Sequence, residues 1–324
     1  MRFDTPFIKL PICFDAEALE REVRALPPSA WVPHPTGFVG NEAVRLVTVG
    51  GGPTDDFGGP MRPTENLARS PYIQQIMAEL GGVWSRSRLM GLGAGAEVPE
   101  HVDAHYHWRT HIRIHVPVIT DPKVLFTCGG ETVHMAPGEC WLFDSFRWHR
   151  VVNGWTDRRV HLVLDTVMTE QLRKLIDDAG SQPPTEARLL PPGARVGKEL
   201  HFEQVNAPMI MSPWEIRGHS AFILEQTEEH PAIPALRDQL ERFADAWAAI
   251  WAQFGPSVQG LPAYRRDLAE YRANVAAIAT KDVMLTNESL FMNVADALIF
   301  VAAIAPAAVA TGTVSTAVPR QRFA

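Results

Sequence analysis

The chain has 324 residues, of which 46% are hydrophobic and 21% are charged, and its formal net charge at pH 7 is -7. These fractions are typical of a soluble globular protein with room for one large domain or two ordinary ones. The acidic balance argues against nucleic acid as a partner, because a phosphate-binding surface needs a basic excess.

Neither a leader peptide nor a membrane span is predicted. The first residues lack the apolar core of a signal peptide, and the most apolar stretch, residues 298–310, is interrupted by Pro306. We therefore expect a cytoplasmic protein that has no membrane partner.

The first 85 residues are predicted to alternate between strands and helices. The pattern indicates strands at 7–14 and 43–49, a helix from Asp15 to about Leu26, and a helix that Ser70-Pro71 opens and Gly81 closes. A dense β region follows. Its short strands are separated by turn signals such as Gly129-Gly130, a spacing that suits a barrel, and they are predicted at 86–92, 107–116, 124–127, 131–135, 140–143 and 159–167.

Proline then marks a change of organisation. Pro183-Pro184 and Pro191-Pro192-Gly193 cannot continue a strand or a helix. We predict a β domain over 1–168, a linker or a loop that wraps the barrel over 169–200, and a mostly helical region over 201–324. Helical apolar spacing runs through 236–254 and 264–278, and a third helix is expected at 288–305. These helices must pack on one another, on the open rim of the barrel or on a second subunit, so a homodimer stays open.

The most informative motif is His101-Val102-Asp103, followed far downstream by His149. Two histidines and a carboxylate are the three protein ligands of a facial triad, which binds non-haem Fe(II) and leaves positions open for substrate and oxygen. A zinc site that combines His101 with His105, His107 or His111 is the weaker alternative. No HExxH motif stands there, and strand geometry separates His101 from His111.

Two predicted strands carry basic faces. Period-two alternation places Arg109, His111, Arg113 and His115 on one face of the 107–116 strand, opposite apolar residues. Such like charges repel one another unless an anion lies in front of them, so the pattern predicts a pocket for an acid.

The 159–167 strand repeats the pattern. Arg159, His161, Val163 and Asp165 share a face. An arginine binds a carboxylate through two parallel hydrogen bonds, and Arg159 is well placed for the distal carboxylate of 2-oxoglutarate. The adjacent Arg158 is the better candidate for a surface salt bridge. The residues beside the HxD strand are predicted to contact the substrate: Arg109, His107, His111, Tyr106 and Trp108.

Together these motifs resemble the aspartyl/asparaginyl β-hydroxylase family, which includes bacterial enzymes that hydroxylate free amino acids. The resemblance covers about residues 85–168, and five motifs in the right order carry it: 98–103, 113–117, 138–144, His149 with Asn153, and 159–165. It implies an α+β protein with a double-stranded β-helix (jelly-roll, cupin-like) core, flanking helices and the helical C-terminal region.

The resemblance also implies Fe(II), 2-oxoglutarate as cosubstrate and O2. By residue, it implies iron ligation by His101, Asp103 and His149, with Arg159 on the distal carboxylate of 2-oxoglutarate. Arg113 and His115 would lie near its other end. Met90 stands where some members have a serine that touches 2-oxoglutarate, so that contact is in doubt.

The presence of Asp103 bears on the reaction. Related halogenases need a vacant coordination position for chloride, which a carboxylate ligand fills, so hydroxylation is favoured. The expected activity is hydroxylation of an amino acid, an amino-acid derivative or a peptide side chain, with release of succinate and CO2. The alternatives are a non-catalytic metal-binding cupin and a dioxygenase independent of 2-oxoglutarate, neither of which needs Arg159 on a pocket face.

Overall fold

The computed structural model describes residues 3–181, 187–193, 199–305 and 317–319. The strands are β1 (Phe7–Phe14), β2 (Val32–Pro33), β3 (Asn41–Val49), β4 (Met61–Pro63), β5 (Val83–Trp84), β6 (Ser87–Leu92), β7 (Glu97–Asp103), β8 (His111–Ile119), β9 (Val124–Cys128), β10 (Glu131–Val133), β11 (Glu139–Phe143), β12 (His149–Asn153), β13 (Arg159–Val167), β14 (Arg188–Leu190), β15 (His201–Phe202) and β16 (Ala317–Pro319).

The α-helices are α1 (Ala16–Arg24), α2 (Glu65–Ala68), α3 (Pro71–Leu80), α4 (Tyr106–Thr110), α5 (Glu170–Ser181), α6 (Pro213–Gln226), α7 (Ile233–Phe254), α8 (Leu261–Ile278) and α9 (Phe291–Ala295). Short 3-10 turns occupy Pro28–Ala30 and Val258–Gly260, and a π-helical turn follows α9 at Asp296–Phe300. Among the helices of the described residues, none is long and apolar enough to cross a membrane.

The chain divides into two compact units. The first consists of Met1–Val102 and Thr110–Asn206, and the second of Asp103–Arg109 and Ala207–Ala324.

Two sheets form the first unit. The larger has the strand order β14-β1-β11-β8-β13-β6-β3-β2, and β9, β12 and β7 are neighbours in the smaller sheet. An apolar cluster draws Leu92 and Phe143 from the larger sheet and Phe126 and Val151 from the smaller one. Two sheets with apolar residues of both between them, and helices beside them, make an α+β protein with a double-stranded β-helix core, as predicted.

Alternation along β8 decides which face of the larger sheet is apolar. Ile112, Ile114 and Val116 belong to a large core that also contains Leu19 of α1 and Ile73 of α3. His111, Arg113 and His115 therefore lie on the opposite face, and the His115 ring lies 5.6 Å from that of Phe126 in the smaller sheet. This face carries the basic residues that the sequence predicted.

The predicted helix ends are confirmed at α1 and α3. Asp15 Oδ1 accepts a hydrogen bond from the Ala18 amide at 2.8 Å, which satisfies a free donor of the first turn. Gly81 ends α3 with a φ of 67°, a left-handed conformation that glycine adopts without steric cost.

The strand predicted at 107–116 begins later than expected. Residues 106–110 form α4, in which the Trp108 amide donates to the His105 carbonyl at 3.0 Å, and β8 starts only at His111. Local alternation suggested a strand, but this segment packs within the second unit, where the Arg109 guanidinium lies 3.7 Å from the Phe222 ring centre. Arg109 therefore does not share the β8 face.

The segment predicted as a linker or wrapping loop over 169–200 contains regular structure. Helix α5 begins behind Thr169, whose Oγ1 accepts from the Leu172 amide at 3.3 Å, and the Leu172 side chain is fully buried. Strand β14 then pairs in parallel with β1. Residues 169–200 thus belong to the first unit, which extends to Asn206. The predicted Pro183-Pro184 stretch lies outside the described residues.

The second unit is mostly helical in the residues that the structure describes. Trp247 of α7 is fully buried and contacts the Tyr264 ring of α8 with 4.4 Å between ring centres. Its indole nitrogen donates to the Met211 carbonyl at 2.7 Å. The helix predicted at 288–305 is shorter: Glu288 has a φ of 62°, which is incompatible with a helix interior, and α9 starts at Phe291.

Candidate metal centre and the adjoining basic sheet face

Two neighbouring strands of the smaller sheet bring the predicted metal ligands together. His101 lies on β7, Asp103 ends the same strand, and His149 begins β12, directly opposite His101 in the antiparallel register. One potential ligand atom from each of the three residues lies within 4.8 Å of the others. Among the described residues, no other group of three or more histidine, cysteine or acidic side chains is arranged so that it could hold a metal ion.

Backbone carbonyls orient both imidazoles. His101 Nδ1 donates to the Pro99 carbonyl at 2.7 Å, and His149 Nδ1 donates to the Arg147 carbonyl at 2.9 Å. A donated bond at Nδ1 fixes the proton there and leaves the Nε2 lone pair for a metal, which is the usual arrangement at metal-bound histidines. The two imidazole rings are therefore each held in place by a backbone carbonyl two residues earlier in the chain.

Burial supports the neutral form of His149. Its side chain is enclosed by the aromatic rings of Phe126 and Phe143, the second at 4.9 Å between ring centres. Burial lowers the pKa of His149 well below its ordinary value, and the nearby His101 and Arg113 act in the same direction. A histidine that stays unprotonated is the form that binds a metal ion.

Arg159 is buried on the adjoining face of the larger sheet without an acidic partner. Its side chain is only 4% exposed, and burial lowers the pKa of its guanidinium to about 9. Nη2 donates to His161 Nδ1 at 3.3 Å, while Nε has no hydrogen-bond partner within the part of the chain that the structure describes. A buried, unpaired guanidinium is costly unless an anion binds it.

Two histidines beside Arg159 also present unused nitrogens. His161 Nδ1 accepts from Arg159, so its proton lies on Nε2, and His115 Nδ1 lies 3.4 Å from His161 Nδ1. The Nε2 atoms of His115 and His161 are buried and have no partner among the described residues. An unsatisfied donor at His161 Nε2 beside an unpaired guanidinium fits a small polar ligand such as a carboxylate.

The residues present thus fit the groups that the sequence implies. His101, Asp103 and His149 offer the two imidazoles and one carboxylate that Fe(II) takes in a facial triad. Arg159 offers a charged fork for a carboxylate. Met90 pairs with His161 on the neighbouring strand and brings no hydroxyl, so the serine contact of some relatives has no counterpart at that position.

Arg158 and Arg159 are adjacent in the sequence, but they lie on opposite faces of the sheet and have different partners. Arg158 Nη1 pairs with Glu42 at 3.1 Å, its side chain is 41% exposed, and its guanidinium lies 4.0 Å from the Trp31 ring centre. Arg159 is buried on the opposite face of β13.

Arg113 is engaged by a carboxylate of its own sheet. Its Nε donates to Asp165 Oδ1 at 3.0 Å, from the residue that lies directly opposite on β13. The sequence placed both residues on the pocket face without recognising them as a pair.

The five residues predicted to contact the substrate have different partners within the two units. His111 Nε2 bonds to Glu203 at 2.8 Å in the first unit. The other four belong to the second unit: Tyr106 Oη donates to Glu215 at 2.8 Å, His107 and Trp108 are buried, and Arg109 stacks on Phe222. These contacts tie the segment to α6, and a substrate role for the five stays a prediction.

A second group of basic residues on the larger sheet was not predicted. Arg86 and Arg88 are 5% and 3% exposed, and Arg88 lies opposite Arg45 in the register of β3 and β6. Arg88 Nη1 lies 3.0 Å from His34 Nε2, and Asp55 binds Arg45. The alternation Ser85-Arg86-Ser87-Arg88 was the sequence signal that could have revealed it.

Residues 46–169 match the model of a family described as aspartyl/asparaginyl beta-hydroxylase. This confirms the resemblance predicted from the motifs, and the matched range contains the three candidate metal ligands and Arg159. No curated protein matches the chain.

Several solved structures are similar over about half of the chain. A 2OG-Fe(II) oxygenase family oxidoreductase from Burkholderia pseudomallei is 16% identical over 50% of this chain and 85% of its own, with a TM-score of 0.38. A Pseudomonas putida prolyl-4-hydroxylase is 12% identical over 51% of this chain and 95% of its own, with a TM-score of 0.36. A Trichoplax adhaerens prolyl hydroxylase, solved with a peptide fragment of a hypoxia inducible factor, is 13% identical over 53% of this chain and 87% of its own, with a TM-score of 0.35.

The family match and the ligand geometry agree. The matched range contains the three residues that could hold a metal ion, and the family that it matches is described as a hydroxylase.

Proposed function

We propose that the chain hydroxylates an unactivated carbon of an amino acid, an amino-acid derivative or a peptide side chain. In such a reaction, Fe(II) with 2-oxoglutarate and O2 supplies the oxidising power, and succinate and CO2 are released as the substrate gains its hydroxyl group. The protein binds and orients the reactants.

The observation that carries the proposal is the coexistence of two features. Ligand atoms of His101, Asp103 and His149 lie within 4.8 Å of one another, and the buried Arg159 has no acidic partner among the described residues. A metal-binding protein without turnover needs only the first feature. An enzyme that uses a keto acid with a distal carboxylate needs both.

The chain's own residues have distinct roles in this proposal. His101, Asp103 and His149 would hold the metal, and the Pro99 and Arg147 carbonyls keep the imidazoles aimed. Arg159 would bind the distal carboxylate of 2-oxoglutarate, with His115 and His161 beside it. The aromatic rings around His149 exclude water, which strengthens each of these polar contacts.

The proposal is tested by succinate release in the presence of Fe(II), ascorbate and 2-oxoglutarate, across a panel of free amino acids and short peptides. We expect succinate to form in proportion to a product that is heavier by one oxygen atom. Product formation without 2-oxoglutarate would favour a dioxygenase that does not use it. Iron binding with no turnover across the panel would favour a non-catalytic cupin-like protein.

Arg159→Ala is expected to raise the KM for 2-oxoglutarate steeply, with iron binding retained. Removal of the partner of a buried carboxylate costs about 2 to 5 kcal/mol, which corresponds to about 30-fold or more in affinity. Arg158→Ala is the matched control, because Arg158 is a half-exposed ion-pair partner whose loss costs about 0 to 1 kcal/mol. The measurement is the dependence of succinate release on 2-oxoglutarate concentration. Equal KM values for the two variants would refute the role of Arg159.

A further inference from the structure

The larger sheet carries a second concentration of positive charge around Arg86 and Arg88. Both side chains are almost completely buried. Arg88 lies on β6, opposite Arg45 on β3 and Val163 on β13. Arg86 precedes this strand by one residue, and its guanidinium lies 3.7 Å from the Phe57 ring centre.

The carboxylates near this group are already engaged by other arginines. Asp55 forms an ion pair with Arg45, and its Oδ1 is 3.8 Å from Arg88 Nη1, which is beyond hydrogen-bond distance. Asp165 is held by Arg113. Four guanidinium groups therefore share two carboxylates.

Arg86 and Arg88 make only neutral hydrogen bonds in the part of the chain that the structure describes. Arg86 Nη1 donates to the Asp55 backbone carbonyl at 2.9 Å, and its Nε has no partner there. Arg88 Nη1 donates to His34 Nε2 at 3.0 Å. Burial and the charges of Arg88 and Arg86 lower the pKa of His34 to about 2, so this histidine brings no charge of its own.

Burial is unfavourable for both arginines, because Arg86 has no ion pair among the described residues and Arg88 has only the long contact with Asp55, which Arg45 also binds. Burial, with neighbouring positive charges, lowers the pKa of Arg88 to about 10 and that of Arg86 well below its ordinary value. Hydrogen bonds to neutral groups do not offset the cost of removing a charge from water, whereas a bound anion does. The arrangement is that of a site built for an anionic ligand.

A row of neighbouring residues links this group to the candidate metal centre. Arg88 lies opposite Val163 of β13, which in turn lies opposite His115 of β8. The His115 ring is 5.3 Å from that of Phe143, which is 4.9 Å from the ring of His149. An anion held at Arg88 would therefore lie on the sheet face that adjoins the metal centre.

The same group is separate from Arg159. On β13, Val163 pairs with Arg88, whereas Arg159 pairs with Leu92, four residues away along both strands. Four residues of strand span about 13 Å. A cosubstrate with one carboxylate on Arg159 and its keto-acid end at the metal has no carboxylate left for this group.

We propose that Arg86 and Arg88 form a second anion site, which binds a carboxylate of the substrate beside the metal centre. The substrate is then a carboxylic acid whose acid group is ionised and free, and the carbon that reacts lies elsewhere in the molecule. The identification of the bound acid as the substrate rests on the proposed function, whereas the existence of the anion site does not depend on turnover.

The test compares binding of free L-amino acids and of the amides made from the same carboxyl groups, aspartate with asparagine and glutamate with glutamine included. The full-length protein is loaded with Fe(II) and 2-oxoglutarate under anaerobic conditions, and binding is measured by thermal shift and calorimetry. We expect at least one acid to bind and its amide to bind about 30-fold or more weakly, since the amide cannot offset the buried charge.

Arg88→Met and Arg86→Met are each expected to lose this acid preference. Methionine fills a similar volume without charge, so the Tm of the variants without an amino acid should equal or exceed that of the parent protein. Affinity for 2-oxoglutarate should be unchanged in both. Arg158→Met is the matched control and should retain the acid preference.

The outcomes separate the two proposals. Acid binding that both Arg86→Met and Arg88→Met abolish supports the anion site even where no succinate forms, a result that would count against the proposed function alone. Undiminished acid preference in both variants overturns the anion site, as does the absence of any acid preference in the parent protein. A lower Tm together with lost 2-oxoglutarate binding in both variants assigns the arginines a structural role and also overturns it.

Discussion

His149→Ala is expected to abolish stoichiometric Fe(II) binding and, with it, succinate release. His149 begins β12 opposite His101, and its Nε2 is free for a metal because Nδ1 donates to the Arg147 carbonyl. Loss of a partner outside the coordination sphere already costs about 10- to 100-fold in metal affinity, so loss of a ligand should cost more. His101→Ala should behave in the same way.

The measurement is anaerobic titration with Fe(II), with circular dichroism to establish that the variant is folded. His134→Ala is the matched control, because His134 is a half-buried histidine whose Nδ1 donates to the Val124 carbonyl at 3.1 Å and which is not part of the ligand group. It should bind one Fe(II) per chain. Retention of one Fe(II) by either ligand variant would exclude the assigned metal centre.

The sequence could identify the three residues of the candidate metal group because two of the signals depend only on local spacing along a strand. His101 and Asp103 are two residues apart, so they lie on the same face of any extended strand. Period-two alternation likewise identified the faces of β8 and β13. His149 was combined with His101 and Asp103 because two histidines and a carboxylate make a facial triad, and the family resemblance implied the same set. The register of β12 and β7 places His149 opposite His101.

The sequence failed where packing between distant segments decides the conformation. Residues 107–110 continue the alternation of β8, yet Tyr106 bonds to Glu215 and Arg109 stacks on Phe222, more than 100 residues downstream, in the second unit. The pattern alone could not distinguish a strand from a helical turn held by such contacts. The substrate contacts predicted for this segment rested on its position beside the HxD strand, and they stay a prediction.

The excess of arginines over carboxylates on the buried sheet face could not be predicted from the sequence either. If each had its own carboxylate, Arg45, Arg86 and Arg88 would form ordinary ion pairs. Only the register of β3 with β6 shows that Arg45 and Arg88 share Asp55. Asp55 lies in a loop between β3 and β4, and no periodicity assigns it to either arginine. The surplus of positive charge is a property of the folded sheet.

Two positively charged centres on one sheet face would orient the cosubstrate and the substrate in the proposed reaction. Arg159 and the pair Arg86 and Arg88 lie about 13 Å apart along the strand direction, by the rise of four extended residues. Two acids with different carboxylate positions would be held at opposite ends of the face by charge-assisted hydrogen bonds, and exchange of the two would leave one guanidinium unpaired. The same charges would thus provide binding energy and prevent the wrong arrangement.

Asp103 is expected to determine which atom is transferred to the substrate. As an anionic protein ligand it would fill a coordination position that a halide needs, so chloride should be neither required nor incorporated. Asp103→Gly should weaken Fe(II) binding and stop hydroxylation, because the variant loses the one negative charge of the ligand set. Asp144→Asn is the matched control: Asp144 is a fully buried carboxylate that pairs with Arg147 at 3.1 Å outside the ligand group.

Mass spectrometry of the products, with and without chloride, decides the assignment. Hydroxylated product from the parent protein at the same rate in both buffers is the expected result, and a chlorinated product from it would refute the hydroxylase. Hydroxylation at the parent rate by Asp103→Gly would remove Asp103 from the metal centre. Loss of product in Asp103→Gly, with hydroxylation retained in Asp144→Asn, would show that the carboxylate acts at the metal and that its loss does not merely destabilise the fold.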